Sequence, residues 1–196
     1  MAEAKAACSR CGAVHEVSAV QSINAVTQPE LKASALDGSL FTWKCPDCGT
    51  LNLVKYPLLY HDPSQNLILI YTDSESNLNA SGLPEGYTGR IVSSVSELIE
   101  KIKIFDAGLD DIVMEMVKYV TCNEMGHQEA LRFLKTEGAD GDLVLTYPKD
   151  GKMEMLAVGC NVYQDCAGIC SRNPHLTQAA SGLCHVDQAW LADFLA

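Results

Sequence analysis

Four cysteines stand in two copies of one short pattern: Ala-Cys-Ser-Arg-Cys-Gly at residues 7–12 and Lys-Cys-Pro-Asp-Cys-Gly at residues 44–49. Two residues between the thiols allow a tight turn to aim both sulfurs at one ion. The glycine that follows can take the positive φ that turns the chain back. Pro46 fixes φ at the first turn position of the second copy. Cys8, Cys11, Cys45 and Cys48 are therefore read as the ligands of one structural zinc ion, four thiolates at about 2.3 Å closing the tetrahedron against water and substrate. The 33 residues between Cys11 and Cys45 exceed the roughly 15–20 of the common four-cysteine spacing. The competing reading, two unrelated thiol pairs or a redox Cys-x-x-Cys, does not account for a glycine after each pair.

Other residues have types that can do chemistry, each with a plainer explanation. His61 and Asp62 put an imidazole beside a carboxylate in a segment bounded by Pro57 and Pro63, but adjacent residues usually point apart. Asp110, Asp111 and Glu115 can ligate a hard cation, Asp111 and Glu115 sharing a helix face, yet an N-cap and the helix dipole explain carboxylates in a first turn equally well. Cys160, Cys166, Cys170, His175, Cys184 and His185 crowd the last third of the chain. A second metal at Cys166, Cys170, Cys184 and His185 is considered and not favoured, because the spacings match no standard pattern and free cysteine packs as a small hydrophobe. Cys122, near His127, is read as a core thiol rather than a nucleophile.

The elements that position these residues follow from local pattern. Residues 13–20 alternate as a half-buried strand, residues 28–37 read as a short helix between Pro29 and Gly38, and Phe41–Lys44 and Leu51–Tyr56 enter and leave the second cysteine turn. The long spacer is thus strand, helix and strand. Residues 57–66 read as a loop, Leu67–Tyr71 as a strand, and 73–89, rich in Ser, Asn, Gly and Pro, as a mobile loop. Ser94 and Glu97 make a capping box for a helix bearing Val95, Leu98, Ile99 and Ile102, and a second helix follows from about Asp110 to Val120. Leu143–Tyr147 and Met153–Val158 flank an Asp150-Gly151 turn and predict a hairpin. Helical pieces near 160–170 and 187–195 close the chain.

Composition bounds the function classes. Fourteen basic and 25 acidic residues give a net charge of −11, which opposes sequence-independent attraction to nucleic acid or anionic lipid. Residues 1–62 carry five basic and six acidic side chains, and residues 63–196 carry nine and nineteen. Nine cysteines, an odd number, with no apolar run of signal-peptide length in MAEAKAACSRC, fit a reducing compartment and a cytoplasmic location. No segment reaches the roughly 18 apolar residues of a membrane span.

The two cysteine turns, Gln28-Pro29-Glu30-Leu31, Cys45-Pro46-Asp47-Cys48-Gly49, Tyr56 through Asp62, Arg90-Ile91-Val92, and Phe105 through Gly108-Leu109-Asp110-Asp111 together resemble the bacterial CpXC family, over about residues 7–125. The resemblance implies zinc binding through the cysteine motifs and supplies no reaction. It does not extend to the cysteines and histidines between Cys166 and His185.

The fold expected is α+β: a zinc-ribbon-like antiparallel β module with an inserted helix, then helices and a C-terminal β-hairpin with short helices. Residues 1–126 are expected to form the zinc-binding domain and residues 127–196 to pack on it. The expected function is a structural zinc-binding interaction module for a protein partner, a second copy of the chain included. An enzyme with a site around His61, Asp62, Arg90, Asp110 and Asp111 is the alternative. A nucleic-acid-binding ribbon is the third reading, disfavoured by charge.

Overall fold

The structure is a computed structural model of the 196-residue chain, and it describes residues 2–72, 82–126 and 130–195. The described chain is an α+β mixture that divides into two compact units, Met1–Ile99 and Glu100–Ala196.

The first unit opens with an antiparallel ribbon of β1 (Ala2–Ala7) and β2 (Val14–Ala19), joined through the first cysteine turn. After β3 (Ser22–Asn24) comes the inserted helix α1 (Pro29–Leu36), with Pro29 in its first turn. Gly38, at φ 78°, carries the chain into a single 3-10 turn and then β4 (Thr42–Lys44). The second cysteine turn joins β4 to β5 (Leu51–Leu53), again antiparallel. The zinc-ribbon-like module expected from sequence is therefore two short ribbons with a helix between them.

A mixed sheet completes this unit. β6 (Leu58–Asp62) pairs parallel to β3 and antiparallel to β7 (Leu67–Tyr71), which pairs parallel to β8 (Thr88–Val92). The loop expected over 57–66 is corrected here. Pro57 lies just before the strand and Pro63 just after it, where neither removes a ladder donor, and Leu58, Tyr60 and Asp62 alternate inward. Ile23, Phe41, Leu58, Tyr60, Leu67, Leu69, Tyr71 and Val92 are among this unit's buried apolar residues, with the Phe41 ring edge-on to Tyr71 at 5.9 Å. Of the segment expected as a mobile loop, residues 73–81 lie outside the described residues.

Helix α2 (Val95–Asp106) follows the capping signal. The Glu97 N–H donates to Ser94 Oγ at 3.2 Å, while the Glu97 carboxylate accepts from the Ser93 N–H at 2.9 Å, one residue earlier than a regular capping box.

In the second unit α3 (Asp111–Met125) starts on an Asp110 N-cap and stops at Gly126, φ 64°. Strands β9 (Arg132–Glu137), β10 (Asp142–Lys149) and β11 (Lys152–Val158) form an antiparallel sheet in the order β11-β10-β9. Asp150 and Gly151 both have positive φ, 49° and 75°, as the tight two-residue turn demands. Then come α4 (Cys160–Arg172), α5 (Pro174–Ala179), the short β12 (Leu183–Cys184) and α6 (Gln188–Leu195). Met114, Val117, Phe133, Leu143, Leu145, Val186 and Leu191 are central to the core of this unit. Among the described residues, no helix is long and apolar enough to cross a membrane.

Candidate metal centre

Each cysteine turn closes on itself by the same two backbone bonds. The Gly12 N–H donates to the Cys8 carbonyl at 3.0 Å and the Cys8 N–H to the Ala13 carbonyl at 2.9 Å. In the second turn Gly49 donates to Cys45 at 2.8 Å and Cys45 to Thr50 at 2.9 Å. Gly12 and Gly49 sit at φ 73° and 71°, a region that a β-carbon penalises. The sequence repeat is thus a structural repeat, and each turn directs its two sulfurs to one place.

The two turns meet. Cys8 Sγ lies 3.5 Å from Cys48 Sγ and Cys11 Sγ 3.7 Å from Cys45 Sγ, and all four sulfurs fall within 4.8 Å of one another. These separations are far beyond a disulfide bond of about 2.05 Å. They match the edge of about 3.8 Å in a tetrahedron with metal–sulfur bonds of about 2.3 Å. The donor set fits a metal ion.

The thiols are electrostatically unequal. Cys8 is lowered to about 6, chiefly by the Cys11 backbone N–H, against burial and with help from the Arg10 N–H and Cys48. Cys48 is also lowered, by the Thr50 hydroxyl and N–H. At Cys11 the Ala13 N–H favours the thiolate, but burial and the other three sulfurs prevail and push it up to about 12. Four thiolates at this spacing need a cation to coexist.

Asn52, buried between the exposed Leu51 and Leu53, is a supporting residue that sequence reasoning missed. Its Nδ2 lies 3.6 Å from Cys8 Sγ and donates to the Thr50 carbonyl at 2.9 Å, while its Oδ1 accepts from the Ser9 N–H and hydroxyl, both at 2.8 Å. One amide therefore ties the second ribbon to the first turn and gives a sulfur a hydrogen bond, the outer-shell role that orients metal ligands. The signal was a polar residue between two leucines, which the β4–β5 pairing alone explains.

The other candidates are engaged in holding the fold. His61 and Asp62 alternate to opposite sides of β6. The His61 Nε2 lies 3.3 Å from Tyr87 Oη, whereas the Asp62 carboxylate accepts from Ser64, Gln65 and Lys32. Burial pushes Asp62 up, but Ser64 and the Lys32 ammonium outweigh it and leave its carboxyl below the ordinary range. Arg90 is buried, with Nη1 donating to the Gly89 carbonyl at 2.8 Å. Asp110 accepts from the Ile112 and Val113 N–H groups as a helix cap.

Asp111 and Glu115 belong to a buried ion network. Lys101 Nζ lies 2.9 Å from Asp111 and 3.5 Å from Glu115, Lys118 Nζ 2.7 Å from Glu115 and 3.1 Å from Glu100, and Arg132 Nη1 2.7 Å from Glu100. The cation ligated by the Asp111–Glu115 face is therefore a lysine ammonium. The Phe133 N–H and the Gln188 amide satisfy remaining carboxylate lone pairs.

Of the C-terminal cysteines, Cys166, Cys170 and Cys184 serve the core. Cys166 and Cys170 are buried in the second unit, burial pushing Cys166 up to about 11 and Cys170 in the same direction. The His185 imidazole lies 3.8 Å from the Asp187 carboxylate. Among the described residues, the groups of three or more that can hold a metal are Cys8, Cys11, Cys45 and Cys48, and His15 with Cys45 and Asp47. Burial also raises Cys122, against the nearby Lys118, and His127 lies outside the described residues.

Comparison with curated proteins and with solved structures finds no match. A family model described as CpXC protein matches residues 6–118, more than half the chain, and spans both cysteine turns, the inserted helix and the mixed sheet. With a match over more than half of its length, one that includes both converging cysteine turns, the chain belongs to the CpXC protein family.

Proposed function

We propose that the protein is a structural zinc-binding module that docks a partner protein. Zinc is the ion that the donors favour: four cysteine sulfurs at tetrahedral spacing select a borderline-soft ion with no geometric demand of its own. Bound there, it supplies a cross-link between the two ribbons and leaves no coordination position for a substrate.

The observation that carries the docking half is the outer face of β5. Leu51 and Leu53 are 67% and 74% exposed, whereas Asn52 between them is 6% exposed on the cysteine side. The metal-held ribbon thus presents two large apolar side chains on one face, opposite Lys44 and Thr42. A partner that covers a leucine side chain gains roughly 1.5–3 kcal/mol from it. The catalytic alternative draws less support, because Asp62, Asp110 and Asp111 are each committed to a cap, a turn or an ion pair.

Affinity capture from the protein's own cell extract tests the reading, comparing the wild type with Leu51→Ser/Leu53→Ser. The expected result is a specific protein recovered by the wild type and lost with the double variant, whose zinc content is unchanged. A wild type that stays monomeric and recovers nothing, or a double variant that recovers the same protein, counts against it.

A further inference from the structure

His15 and Asp47 form a donor pair that the tetrathiolate does not use. His15 Nε2 lies 3.1 Å from Asp47 Oδ2, and a ring nitrogen of His15, a carboxylate oxygen of Asp47 and the Cys45 sulfur all fall within 4.8 Å of one another. The turns that set the sulfurs also set this pair. Asp47 sits inside the second cysteine turn, and His15 lies on β2 opposite Ala6, just after the first. The Trp43 indole lies 5.8 Å from the imidazole, tilted by 58°. Side-chain exposures of 26% and 57% leave His15 and Asp47 open to an ion arriving from solvent.

We propose that His15, Asp47 and the Cys45 thiolate form a second, weaker site for a borderline or soft divalent cation, Zn2+ or its softer analogue Cd2+, filled after the tetrathiolate. This rests on the tetrathiolate reading, since Cys45 acts as a bridge only once it is a metal-bound thiolate. Four thiolates around one divalent ion keep two net negative charges, and the Asp47 carboxylate adds a third beside them. A second cation meets all three at short range. A thiolate bound to one metal retains lone pairs for another, and the mixed nitrogen, oxygen and sulfur donors suit a borderline ion, with water completing the shell. The nitrogen–oxygen separation is close to the edge of about 3.4 Å expected for two ligands at about 2.1 Å from one tetrahedral ion. On ligation Nε2 offers its lone pair, the imidazole keeps its proton on Nδ1, and any proton held between Nε2 and Oδ2 leaves to solvent.

Native mass spectrometry of the full chain, first carrying one zinc and then given excess Zn2+ or Cd2+, tests this. The wild type is expected to take a second ion that dialysis removes before the first. His15→Ala and Asp47→Ala are expected to lose that second equivalent and keep the first, which also reports that each variant is folded. A wild type that stops at one ion under excess, or variants that still take two, overturns the proposal. A wild type that binds no ion at all overturns the tetrathiolate reading and this inference with it, a pattern distinct from retention of one.

Discussion

Replacing Glu100 by alanine separates the energetics of a buried ion network from those of a single surface ion pair. The Glu100 carboxylate, 2% exposed, accepts from Lys118 Nζ at 3.1 Å, from Arg132 Nη1 at 2.7 Å and from the Phe133 N–H at 2.8 Å. Removing it leaves Lys118 with Glu115 alone and orphans a buried backbone donor. Arg132 is 37% exposed on its side chain and turns to water at little cost. Breaking a buried pair costs about 3–5 kcal/mol, and an unsatisfied buried donor contributes about 1–3 kcal/mol of a loss of that kind. We expect Glu100→Ala to destabilise the second unit by about 4 kcal/mol. Lys135 and Glu137 meet at 2.9 Å with 52% and 64% of their side chains exposed, and Glu137→Ala should cost less than about 1 kcal/mol. The assay is urea unfolding of the full chain. Trp43 belongs to the first unit and Trp190 to the second, so fluorescence in a Trp43→Phe background reports the second unit alone. A loss below about 1 kcal/mol for Glu100→Ala, or equal losses at Glu100 and Glu137, would refute the claim that burial decides the difference.

Three further outcomes follow from the geometry. Asn52→Ala removes the sulfur hydrogen bond and the anchor on Ser9, and should weaken metal affinity by about 10–100-fold in competition with a chelator. Gly49→Ala forces a β-carbon into φ 71° with Lys44 Cε at 3.8 Å, so strain rather than a clash should cost about 1–2 kcal/mol, read from the thermal midpoint of the metal-bound protein. Burial pushes Glu100 up, but Lys118 and Arg132 outweigh it and hold its carboxyl below the ordinary value. Its contribution to stability is therefore full above the ordinary glutamate range near 4.3, and it falls away as pH drops through the lower folded value. Acid titration of Trp190 fluorescence should show a shallower fall in Glu100→Gln than in the wild type.

The parts of this fold that were legible in the sequence are those set by neighbours along the chain. The cysteine turns, α1 behind Pro29, the Ser94–Glu97 start of α2, the Asp110 cap and the Asp150-Gly151 hairpin each announce themselves within a few residues. The spacer of strand, helix and strand was readable for the same reason. What pairing at long range decides was not. β6 carries Asp62 on its buried side, which breaks the apolar alternation, and its flanking prolines mimic loop punctuation. Only β3 and β7 identify it as a strand. Asn52 looks like an ordinary strand polar residue until β4–β5 turns it toward Cys8. Asp111 and Glu115 share a helix face, as the spacing indicates, but their partners Lys101 and Lys118 are set by how α2 meets α3.

The most direct test of the central claim counts metal in protein purified without added zinc, by elemental analysis, alongside the circular dichroism of the same sample before and after chelation. One tightly held zinc per chain is expected, lost in Cys45→Ser, with a change in the spectrum when it is withdrawn. A chain that is free of metal as purified and keeps the same spectrum and thermal midpoint after chelation would contradict it.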